Sequence, residues 1–209
     1  MDFYQLAIRQ KGHWPSTIDK AKILTLPIFE LNNIPVKIIT VEDELKEVIQ
    51  KLNKSKVIGF DTETKPVFIK GNKNNIALIQ LATTDYIYLI RTCILKPNKA
   101  FWELLESPNI IKVGIGLGGD LKQLRGLNSQ LLPSGFLDLS KVAELGGITT
   151  SGLRNLVAIF LNKRLPKTFQ TSNWEGELSP GQIAYAAKDA LACLVLYERI
   201  KAEFESLPS

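Results

Sequence analysis

Asp61 and Glu63 close the run VIGFDTE, residues 57–63. Val57, Ile58 and Phe60 are side chains a sheet core takes; the two acids are ones it excludes. Residues two apart on a strand face the same side, so these carboxylates converge. A third acid, Asp120, follows the apolar run NIIKVGIG (109–116) through the turn LGGD. That puts it at the C-terminal end of a buried strand, where ligands gather in open α/β sheets. A fourth, Asp189, stands four residues after Tyr185 in a helical segment, so the two share a face. Gathering such acids is costly: two unit charges about 4 Å apart repel by roughly 4 kcal/mol at an effective dielectric of about 20. Hard divalent cations with oxygen ligands relieve that repulsion. A pair of such ions about 3.5–4 Å apart suits phosphodiester cleavage, one activating the attacking water and one stabilising the leaving 3′ oxygen. A tyrosine hydroxyl one helical turn from a metal ligand could orient or deprotonate that water.

Each piece has a plainer reading when taken alone. D-x-E is a common surface or capping pair, Asp120 a helix N-cap, and Tyr185 with Asp189 a half-buried helix face. Asp138, inside FLDLS, reads as a structural turn or cap residue. The set gains its meaning from order, spacing and context together.

The elements that must carry these residues follow from periodicity. VKIIT (36–40) is a short strand, and 41–55 carries a helical stripe with Thr40 as its expected N-cap. VIGFDTE and two strands within 75–91 form a three-stranded antiparallel meander. A helix over 99–108, the strand 109–116, a helix over 119–127 and a short strand over 136–140 come next. The remainder is helical, ending in 179–207, which starts with Ser179-Pro180. This is an α/β pattern: a mixed five- to six-stranded sheet, antiparallel meander plus parallel strands, flanked by helices. Residues 1–33 show no clear period and read as an N-terminal extension that packs on the domain or frays; 34–209 form the domain.

Composition narrows the chemistry. The chain has 209 residues, is 45% hydrophobic and carries a formal charge of +5, compatible with a polyanionic partner. One histidine, His13, and two distant cysteines, Cys93 and Cys193, argue against a zinc site, a disulfide scaffold or a Ser-His-Asp triad. The opening MDFYQLAIRQKGHW lacks the apolar stretch of a signal peptide, and no run approaches a membrane span. The expectation is a soluble cytoplasmic protein without a membrane partner.

Three segments, GFDTETKPVFIKGNKNNIALIQLATTD, KVGIGLGGDLKQL and SNWEGELSPGQIAYAAKDALACLVLY, resemble the motif blocks of the DEDDy 3′–5′ exonucleases. The likeness spans about residues 36 to 203 and is closest to the Werner syndrome-type branch. It implies a ribonuclease H-like fold and release of nucleoside 5′-monophosphates from a nucleic-acid 3′ end. It also implies two divalent cations, Mg²⁺ or Mn²⁺, on Asp61, Glu63, Asp120 and Asp189, with Tyr185 at the water. The ribonuclease D branch carries Arg-Pro where this chain has Gly176-Glu177, which argues against a tRNA-processing role; DNA is the expected substrate. The Werner type has Trp-Pro where this chain has Lys65-Pro66.

Substrate contacts are expected from Thr62, Lys70, Lys167 and Trp174, with Lys73, Arg154, Lys163 and Arg164 as further phosphate partners. Trp174 could stack on a base; a core plug beside the last helix is its other, favoured reading. RNA is the alternative substrate, and a non-catalytic exonuclease-like scaffold the alternative class.

Overall fold

The computed structural model describes residues 2–66 and 75–207. Its six strands are β1 (Val36–Ile39), β2 (Val57–Thr64), β3 (Ile76–Ala82), β4 (Ile87–Ile90), β5 (Ile111–Gly114) and β6 (Phe136–Asp138). They form one sheet in the order β1-β4-β3-β2-β5-β6. The expected meander is present: β2 pairs antiparallel with β3, and β3 with β4. Strands β1, β5 and β6 join in parallel, on β4, β2 and β5 respectively. The mixed α/β sheet read from the sequence is therefore the observed one, at the upper end of the expected strand number.

Helices cover both faces. One core lies between the sheet and α3 (Glu42–Leu52), α4 (Lys99–Glu106) and α5 (Gly118–Leu127), and is filled by Leu45, Phe60, Ile79, Leu81 and Phe101. The opposite core packs α6 (Leu139–Leu145), α7 (Leu153–Leu161) and the long α8 (Pro180–Glu205) against the sheet. Alternation along β3 sets this division: Leu78 and Ala82 face α8, whereas Ile79 and Leu81 face the other way. α8 begins as expected, with Pro180 at its first turn and a reciprocal capping box between Ser179 and Gln182.

Two local features differ from expectation. Val41, not Thr40, is the N-cap of α3 and makes no side-chain capping bond. The Thr40 backbone N–H instead donates to Glu44 at 3.5 Å, and three acids in the first turn favour the helix start electrostatically. The N-terminal segment contains two short helices, α1 (Phe3–Arg9) and α2 (Lys20–Thr25), capped by the side chains of Asp2 and Asp19. Phe3 stacks on Tyr197, and Trp14 meets Phe160 edge-on while its indole N–H donates to Glu203. These contacts merge the segment with the α8-side core. Among the described residues, no helix is long and apolar enough to cross a membrane.

Candidate active site

β2 and α8 touch through their smallest residues. A Cβ added to Gly59 would lie 2.1 Å from the Ala190 carbonyl oxygen, so only glycine admits the helix at this depth. Asp61 is two residues beyond Gly59 on the same strand face, and Asp189 is the neighbour of Ala190. The close approach thus brings acids 128 positions apart in the chain together. One carboxylate oxygen from each of Asp61, Glu63 and Asp189 lies within 4.8 Å of the other two. The strand register shifts between Glu63 and Thr64, where the ladder with β3 becomes irregular.

The electrostatics of this trio are those of crowded, desolvated acids. Burial pushes Glu63 up to about 8, with the charges of Asp189 and Asp120 adding to it. Burial raises Asp189 to about 7, against the pull of the nearby Tyr185 hydroxyl and Arg154. Asp61 is held well above the usual carboxylate range by burial, then by Asp189, Glu63 and Asp120. The Tyr185 phenol also sits far above its ordinary value, through burial and then the negative field of Asp189 and Glu63. Three hard oxygen donors crowded at this spacing, each made costly to ionise by burial and its neighbours, match the needs of a divalent cation, whose charge would offset that cost.

Asp120 stands outside that trio. It lies in the first turn of α5, whose N-cap is Leu117, so the plain capping reading does not describe it. Its carboxylate accepts a hydrogen bond from the Thr62 hydroxyl, and its charge reaches Asp61 and Glu63. The turn leading to it is organised by Asp138, which accepts from the backbone N–H groups of Gly116 (2.9 Å) and Leu117 (3.0 Å). Asp138 also caps α6 through Ser140. Its place is structural, and the structure it maintains is the approach to Asp120.

The trio opens into a cleft of about 720 Å³. Thr62, Arg154, Lys167 and Tyr185 line it with the acids. Arg154 is aimed by its Nε, which donates to the Leu165 carbonyl at 2.7 Å. Trp174 takes the core-plug reading and not the base-stacking contact: it is 0% exposed, packed 6.1 Å from the Tyr185 ring, and so has no face for a base. Arg91 draws the chain inward there by donating to the carbonyls of Trp174, Glu175 and Gly176. Arg164 is turned away from the cleft, its Nε donating to the Leu26 carbonyl at 2.9 Å. Lys163 is exposed and is not a lining residue. Lys65 pairs with Glu175 at 3.0 Å. Lys70 and Lys73 lie outside the described residues.

Lys20, Ile23, Leu24 and Cys193 are among the lining residues that sequence reasoning did not single out. Cys193 was legible as one further turn along the Tyr185–Asp189 face. Asp19 before KAKILT is a capping signal that could have revealed α2.

Comparison with known proteins agrees with this arrangement. The 3′-5′ exonuclease family profile matches residues 36–205. The chain is 33% identical over 164 residues to the bifunctional 3′-5′ exonuclease/ATP-dependent helicase WRN of Mus musculus, covering 74% of this chain and 12% of that protein. It is 34% identical over 163 residues to the exonuclease 3′-5′ domain-containing protein 2 of Drosophila melanogaster, covering 76% of this chain and 27% of that one. The chain thus spans roughly an eighth to a quarter of these relatives. The crystal structure of Escherichia coli RNase D, an exoribonuclease involved in structured RNA processing, superposes with a TM-score of 0.74 at 24% identity, covering 82% of this chain and 45% of that one. That likeness shows a shared ribonuclease H-like fold.

Proposed function

This chain belongs to the 3′-5′ exonuclease family, and from that premise we propose that it removes nucleoside 5′-monophosphates from the 3′ end of a DNA strand. The observation that carries the reading is the meeting of Asp61, Glu63 and Asp189, each with an oxygen within 4.8 Å of the others, at the floor of an open cleft. Bound Mg²⁺ or Mn²⁺, two ions in this reading, would supply Lewis acidity toward the attacking water and the leaving 3′ oxygen. Asp61, Glu63 and Asp189 would hold that charge, with Asp120, which accepts from the Thr62 hydroxyl, as the fourth acid of the set. Tyr185, whose phenol is held above its ordinary value by burial and by the acids around it, places its hydroxyl to orient the attacking water. Arg154 and Lys167, on the cleft wall, meet phosphate oxygens.

The test is cleavage of a 5′-labelled single strand in Mg²⁺ or Mn²⁺. The wild type should shorten it stepwise from the 3′ end, and Asp61→Ala should not, while keeping its circular dichroism spectrum. Activity that persists in excess EDTA would reject the mechanism.

RNA is the second reading. It is supported by the RNA-processing role of the structurally similar Escherichia coli enzyme and by the lack of any residue singled out above whose chemistry would exclude a 2′-OH. Rates on matched DNA and RNA oligonucleotides separate the two.

A further inference from the structure

α2 lies wholly outside the stretch that matches the family, which begins at residue 36, yet it forms part of the cleft wall. Lys20 and Leu24 of this helix line the same cavity as Asp61, Tyr185 and Lys167. The helix is held there from several sides. Ile23 is buried with Leu26 and Ala158 of α7. The Arg164 backbone bridges Pro27 and Phe29, accepting from Phe29 N–H and donating its own N–H to Pro27 O, each at 2.9 Å. Glu30 pairs with Lys188 of α8 at 2.7 Å. The segment just before α2 is tied as well, since Thr149 N–H donates to the Ser16 carbonyl at 2.8 Å.

Against this fixed backbone, Leu24 is 70% exposed. Its neighbour Ile23 supplies the anchorage, so packing does not account for an apolar side chain at Leu24. Lys20, one turn earlier, lies on the same face, and among the described residues it makes no ion pair with an acid. An apolar side chain next to an uncommitted cation, in the same cleft as Asp61, Glu63 and Asp189, is complementary to a nucleotide: base against Leu24, phosphate against Lys20.

We propose that α2 is a substrate-binding wall added to the exonuclease domain, with Leu24 packing against a base near the 3′ end of the incoming strand and Lys20 contacting its backbone phosphate. The inference rests on the exonuclease reading. It assigns the N-terminal segment a role in holding the strand and leaves the chemistry to the acids.

The experiment uses the full chain and two substrates. The p-nitrophenyl ester of thymidine 5′-monophosphate reports phosphodiester hydrolysis without a strand; a short single-stranded DNA oligonucleotide reports strand binding as well. Wild-type protein should turn over both. Leu24→Asp should raise KM for the oligonucleotide about tenfold, a change equivalent to one lost apolar contact, with the effect falling on KM and not on kcat. Leu24→Phe, which restores an apolar surface, should recover the wild-type KM. Lys20→Glu should raise KM and reduce the slope of log KM against log salt by about one phosphate's worth. Leu132→Asp, at an exposed apolar position outside the cleft, is the matched control and should leave KM unchanged. Leu24→Asp and Lys20→Glu with wild-type KM and salt slope would overturn the wall while leaving the exonuclease reading intact. A wild type that hydrolyses neither substrate would overturn both.

Discussion

Gly59→Ala is a one-methyl perturbation that should uncouple the strand half of the site from the helix half. The added Cβ would sit 2.1 Å from the Ala190 carbonyl oxygen and 3.1 Å from the Leu194 Cβ. A relaxed carbon–oxygen contact needs about 3.3 Å, so β2 and α8 must part by about 1 Å. Both neighbours are backbone or stiff core atoms, so no flexible side chain absorbs the clash. The gap opens between Asp61 and Asp189, whose oxygens must stay within ligating reach of one another. Misplacement of about 1 Å typically costs about 100-fold in rate, and overpacking a core about 1–3 kcal/mol in stability. Steady-state cleavage of a 3′-recessed or single-stranded DNA should show that loss in kcat, and urea denaturation the loss of stability. A Gly59→Ala variant with wild-type kcat and an unchanged unfolding midpoint would refute the claim that this contact sets the site.

Three further outcomes follow from the same geometry. Tyr185→Phe should lower kcat about 10- to 100-fold with Mn²⁺ affinity and KM unchanged, because the proposed mechanism uses the hydroxyl to orient the water while the ring retains its packing on Phe169 and Trp174; wild-type kcat would assign the phenol to packing alone. In the metal-free protein, Glu63 at about 8 and Asp189 at about 7 lie above their unfolded values of 4.5 and 3.8, so the folded state binds more protons than the unfolded one between those limits. Stability without metal should therefore fall as pH rises through that window, and Mn²⁺ binding should release protons at about pH 6 and few at about pH 9; calorimetry in buffers of different ionisation enthalpy reads this, and pH-independent release would contradict it. Asp138→Ala should cost about 3 kcal/mol in chemical denaturation, since the Gly116 and Leu117 amides lose a charged acceptor, and should lower kcat through the displaced Asp120 turn; stability within about 0.5 kcal/mol of wild type would remove its organising role.

What could be read from the sequence was what periodicity encodes. D-x-E on a strand and Tyr-x3-Asp on a helix carry their geometry in their spacing. The apolar run before Asp120 announces a buried strand, and the antiparallel meander follows from two short strands joined by TTD. The limits came where distant tertiary contact decides. Two readings stayed open for Trp174, and what decides between them is remote: Arg91, more than 80 positions away, donates to the carbonyls of Trp174 and the next two residues beside the buried ring. The N-terminal segment showed no period because its anchors are single residues: Phe3 and Trp14 against Tyr197, Phe160 and Phe204 of remote helices. Thr40 failed as a cap because the helix start is carried by the charges of Glu42, Asp43 and Glu44 and not by one hydroxyl. The Thr62–Asp120 hydrogen bond joins β2 to α5 across 58 positions and leaves no mark in local sequence.

Mn²⁺ titration followed by electron paramagnetic resonance of the free ion tests the core of the account. Wild-type protein should bind two ions, and Asp61→Asn and Asp189→Asn, each folded by circular dichroism, should each lose at least one. Equal Mn²⁺ uptake by all three proteins, or none by the wild type, would mean that these acids share a cleft for some other reason.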